Sequence, residues 1–153
     1  MGAPAVAYAR GVDAASAVAV TAIFVWLGMV LAISFLEAPL KFRAPGVTLQ
    51  LGLGIGRLVF RALNACEAVL AVAVVAAFVA HQPSAGAVVG AAVAVVCLLL
   101  QVVLIRPRLQ RRSDAVLAGA EGPRSHAHYV YVGFEVVKVM ALVTAGLLLL
   151  AAS

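Results

Sequence analysis

Residues 55–80, IGRLVFRALNACEAVLAVAVVAAFVA, decide the fold of this chain. A membrane helix needs about 20 predominantly apolar residues. This run supplies them, with Arg57, Arg61, Asn64 and Glu67 all in its first half. Working outward, three more runs of similar length occupy residues 14–36, 86–105 and 128–152. The four take up most of a 153-residue chain that is 65% hydrophobic and 11% charged, with a mean hydropathy of +1.15. An ordinary soluble domain is about half apolar and a quarter charged, so lipid rather than a water-soluble core must cover this surface. The pattern predicts one all-α domain over residues 1–153, an integral membrane four-helix bundle with no room for a soluble catalytic domain. The first run exceeds the roughly 7 to 15 residues of a signal-peptide core and no A-x-A site closes it, so it reads as a retained helix.

The net charge of +5 would suggest nucleic acid in a soluble protein. Here position explains it, and no nucleic-acid partner is expected. Lys41, Arg43, Arg57, Arg61, Arg106, Arg108, Arg111, Arg112 and Arg124 all fall at one end of the four runs. The turn at 81–85 and the tail after Lys138 contain no Lys or Arg, and Arg10 has Asp13 beside it. The positive-inside rule then predicts a multi-pass protein with both loops in the cytoplasm and both termini outside it. Arg106-Pro107 reads as the end of the third helix, followed by a basic, partly helical connection that serves topology. Gly52, Gly54 and Gly56 lack the rest of a G-x-G-x-x-G fingerprint and read as a flexible entrance to the second helix. Gly86, Gly90 and Ala94 form a small-x-x-x-small row, expected to be an internal packing face. Cys66 and Cys97 have no C-x-x-C spacing and read as packing residues.

Ionisable groups inside a membrane cost about 2.5 to 3.5 kcal/mol each on insertion scales and persist mainly when paired or functional. Arg57, Arg61, Asn64 and Glu67 form one stripe on the second helix; His128, Tyr131, Glu135 and Lys138 form another on the fourth. The two helices run in the same direction. Glu67 lies ten residues beyond Arg57 and Lys138 ten beyond His128, so each sits roughly 15 Å deeper. A Glu67–Lys138 ion pair near the midplane follows, with Asn64 near Glu135 one turn above and Arg57 level with His128. The expected result is an intramembrane polar pocket facing the cytoplasm, with Glu37 and Arg43 at its mouth. His126 and His128 would point apart on a helix, which disfavours a metal held by both and leaves His128 as the one candidate ligand. His81 reads as solvated.

Glu37-Ala-Pro-Leu-Lys-Phe-Arg43, the Gly56-Arg57-Leu-Val-Phe60-Arg61 motif with Asn64 and Glu67, and the His128 to Lys138 stripe together resemble a family of small four-helix membrane proteins similar to transmembrane protein 205. More distantly, the architecture is similar to CopD-like and HemJ-type membrane proteins, a resemblance that implies metal, haem or porphyrin handling. The first helix lacks the histidine of the oxidase pattern, so no ligand is carried over.

These residues are compatible with two functional classes. One is a non-enzymatic membrane protein, either an accessory subunit of a larger assembly or a small carrier, which would have to be a homo-oligomer. The other is a redox protein handling haem, quinone or a metal, in which His128 ligates, Arg57 and Arg61 hold anionic groups, and Glu67, Glu135 and Lys138 relay protons.

Overall fold

The computed structural model describes residues 3–118 and 126–152, with side chains over 14–118 and 129–152. Its helices are α1 (Ala3–Val30), α2 (Ala38–Leu40), α3 (Leu49–Ala80), α4 (Ala85–Leu100), α5 (Arg106–Leu117) and α6 (His126–Ala151). A π-helical segment, Leu31–Glu37, joins α1 to α2, and a second, Gln101–Ile105, joins α4 to α5. Among the described residues four continuous helical spans are long and apolar enough to cross a membrane: Ala14–Arg43, Leu49–Ala80, Ala85–Leu117 and Tyr129–Ala151. They pack up-down-up-down. The first span lies against the second and fourth, and the third lies closely against the fourth and more loosely against the second. Large aliphatic residues on the outer faces, Val79, Val69, Val72 and Leu58 among them, are 68–80% exposed in the isolated chain. This is the arrangement lipid requires.

Two boundaries differ from the sequence reading, each for a local reason. α3 begins at Leu49, because Thr48 caps it by accepting from the Leu51 amide at 3.2 Å. The glycines of this stretch are helical, and two of them permit a close approach. A Cβ at Gly52 would collide with the Phe42 ring, and one at Gly56 would lie 2.9 Å from Lys41 Nζ. The third span does not end at Arg106-Pro107. It runs on to Leu117, since proline is tolerated in the first turn of a helix and the π segment before it absorbs the ring. Residues 119–125, and with them Arg124, lie outside the described residues.

The two π segments have a common cause. A proline lacks the amide proton and crowds the carbonyl four residues back. Just before Pro39, the Ala38 amide bonds the Ile33 carbonyl; just before Pro107, the Arg106 amide bonds the Gln101 carbonyl. Each bond reaches five residues back. The wide turn holds one extra residue and rotates the succeeding helix by roughly 100° relative to an uninterrupted one, which turns Arg106 toward the second span. A single offset of 68 residues relates Ile33 to Gln101, Ala38 to Arg106, Pro39 to Pro107 and Glu67 to Glu135. The two wide turns and their prolines thus stand at the same spacing from Glu67 and Glu135.

The small-residue row of α4 packs as expected. Gly90 rests on the fourth span so closely that a Cβ there would lie 2.9 Å from the Ala141 carbonyl and 3.0 Å from Ala145 Cβ. Around this contact the core is apolar, with Ile23, Val74, Ala87, Ala94, Leu142 and Ala145 almost fully buried. Cys97 is buried among these helices, while Cys66 faces outward.

Candidate functional site

Five polar side chains are fully or nearly fully buried together with one tryptophan: Glu67, Lys138, Gln101, Glu135, Asn64 and Trp26. Each span contributes. Lys138 Nζ donates to Glu67 Oε1 at 2.5 Å, to Gln101 Oε1 at 2.8 Å and to Glu135 Oε1 at 3.3 Å. The Trp26 indole donates to the same Glu67 oxygen at 2.9 Å. Gln101 is fully engaged from its other end: Nε2 donates to Glu135 Oε1 at 3.0 Å and to the Tyr131 carbonyl at 3.4 Å. With its amide oriented to satisfy its neighbours, Asn64 donates to Glu67 Oε2 (3.2 Å) and to the Phe60 carbonyl (3.1 Å), and accepts from Arg106 Nη1 (3.1 Å).

The Glu67–Lys138 pair is the one that equal depth on parallel helices predicts. The second expected pair is not formed. Asn64 meets Glu67 and Arg106 instead of Glu135, because Gln101 of the third span stands beside Glu135 and takes its inner oxygen. Arg57, expected level with His128, is itself engaged. It pairs with Asp114 at 2.6 Å, a contact made possible by the continuation of α5, with the two side chains 34% and 58% exposed. Arg61 and Arg43 are exposed at the same end. Glu37 pairs with Lys41 at 3.3 Å, whose ammonium also lies 5.5 Å from the Phe60 ring centre. The side chains of His126 and His128 lie outside the described residues.

Tyr131 is 7% exposed, and its ring meets Phe60 edge-on at 5.7 Å. Its hydroxyl and Glu135 Oε2 are both buried, and the Tyr131 hydroxyl is the donor available to that carboxylate one helical turn further on.

Sequence reasoning missed Gln101, Trp26 and Arg106. The available signal for Gln101 was its position as the only side-chain amide in the apolar run 86–105. In hydrocarbon such a group needs partners.

Chemically, the arrangement binds charge. Its donors and acceptors are directed at one another, and among the described residues no three His, Cys, Asp or Glu side chains gather as a metal-binding group. Compared with protein-family models, curated proteins and solved structures, the chain matches none.

Proposed function

We propose that the protein is a non-enzymatic membrane protein, an accessory subunit of a larger membrane assembly, with an intramembrane polar site reached from its basic side alone. The observation supporting this reading is the direction in which polar groups continue from Lys138. Toward the basic end come Glu135, Asn64, Tyr131 and then half-buried Arg106. Toward the opposite end Ile23, Val74, Leu142 and Ala145 close the bundle with apolar contacts. A carrier would need a second opening where this apolar plug lies. The positive-inside rule assigns the basic end to the cytoplasm and both termini to the other side. Membership of the family similar to transmembrane protein 205 is proposed with it, on the Glu37 to Arg43 and Gly56 to Glu67 motifs.

Thiol accessibility in a Cys66→Ala, Cys97→Ala background tests the site. An impermeant reagent should modify Asn64→Cys from the cytoplasmic side only and Val74→Cys from neither. Modification of either from the outer side overturns the reading. Native mass spectrometry of the gently extracted protein tests the accessory role, which fails if the chain leaves the membrane alone.

A further inference from the structure

Past Pro107 the third span runs antiparallel to the first half of the second, and two contacts tie them together. Arg106 donates to Asn64 at 3.1 Å, and nearer the basic end Arg57 donates to Asp114 at 2.6 Å. Arg61 lies on the second span between these two ties, exposed, and within electrostatic reach of Arg106. Among the described residues it has no hydrogen-bond or ion-pair partner. The described acids near this end are all taken: Glu37 by Lys41, Asp114 by Arg57, and Glu67 and Glu135 by Lys138.

Two neighbouring guanidiniums with no anion between them repel each other, and more strongly where water is scarce. Glu67 sits near the middle of the second span, and Arg61 is six residues, roughly 9 Å, from it toward the basic end. The hydrocarbon layer extends about 15 Å from the midplane, so the Arg61 backbone lies inside it and the side chain reaches out to the headgroups. Topology does not ask for an arginine at this depth, since Arg43, Arg108 and Arg111 already supply the positive bias nearer the span ends. The second and third spans also pack only loosely, so an acyl chain can lie along the seam between them.

We propose that Arg61 and Arg106 hold the phosphate of one anionic phospholipid at the basic face of the membrane, its acyl chains lying along the seam between the second and third spans. A phosphodiester carries one negative charge and accepts paired N–H bonds from planar guanidiniums. Arg106 gives one of its five donors to Asn64 and keeps the rest for the ligand. A zwitterionic headgroup would bring its own ammonium to a face that also carries Arg43, Arg108 and Arg111. The glycerol headgroup of an anionic lipid brings none. The depth of Arg61 selects a lipid phosphate over a free one, which would have to leave water to reach it. This site follows from the membrane architecture and does not depend on the accessory role.

Native mass spectrometry of the delipidated full chain in a neutral detergent provides the test, with dioleoylphosphatidylglycerol, dioleoylphosphatidylcholine and inorganic phosphate as probes. The first lipid should bind as one copy per chain and about tenfold or more tighter than the second, the factor that one charge-assisted hydrogen bond supplies. Inorganic phosphate at the same concentration should not displace it. Arg61→Gln should remove the preference with the fold retained, since Arg61 is exposed and bonds no described residue. Arg111→Gln, which lies roughly 140° round α5 from Arg106, should leave the preference in place. Equal binding of the two lipids by the unaltered chain overturns the proposal, whatever the variants do. So does an equal loss in Arg61→Gln and Arg111→Gln, which would mean diffuse attraction to the whole basic face. Displacement by inorganic phosphate overturns it too, and would assign the two arginines to a soluble anion.

Discussion

Lys138 Nζ lies 2.5 Å from Glu67 Oε1 with both side chains wholly buried, one from each of two helices that run in the same direction. Removing Lys138 leaves two buried carboxylates, Glu67 and Glu135, without their ammonium, and breaking a buried pair in this way costs about 3 to 5 kcal/mol. Lys138→Met should therefore destabilise by that order, and Glu67→Leu by less, since Lys138 keeps Glu135 at 3.3 Å. A double-mutant cycle of unfolding in detergent checks this; additive losses would show that the two side chains do not act as a pair.

Arg57 and Asp114 form the opposite case. Both are partly exposed, so the pair is screened, and exposed pairs are worth up to about 1 kcal/mol. Asp114→Asn should shift the unfolding midpoint slightly at low salt and not at all at high salt. A large, salt-independent loss would mean that α5 is docked by more than this contact.

Gly90 admits no side chain. Adding a methyl group against the Ala141 carbonyl at 2.9 Å forces the third and fourth spans apart, and overpacking of this kind costs about 1 to 3 kcal/mol. Gly90→Ala should destabilise by that order. Gly28→Ala, whose Cβ meets nothing within 4 Å, should be neutral or mildly stabilising in the same assay.

Pro107 sustains the wide turn beneath Gln101. In Pro107→Ala the restored amide can close a regular α turn, and α5 should rotate by roughly 100°. Spin labels at Leu58→Cys and Leu117→Cys, in a background without the native cysteines, should then report a changed separation, on the order of 5 Å. An unchanged distance distribution would show that neighbouring helices, rather than the proline, hold the wide turn.

Much of this architecture is legible in the sequence because hydrocarbon imposes simple rules. Apolar length gives the spans, and equal offsets on parallel helices give the Glu67–Lys138 pair without any knowledge of packing. The rest depends on features that periodicity does not register. Arg106 reads as a loop residue because Pro107 follows it; only the π segment shows that the helix continues and turns that guanidinium toward Asn64. Trp26 looks like one more apolar residue until its indole meets Glu67. The Asn64–Glu135 pairing assumed that two helices settle their polar contacts alone, and Gln101 enters from a third.

The spacing of 68 residues that relates the two wide turns and their prolines also relates Glu67 to Glu135, whereas the position corresponding to Lys138 is Leu70. The buried set therefore joins two matched carboxylates to an ammonium that only the second half of the chain supplies, which makes the two halves unequal partners around one cation.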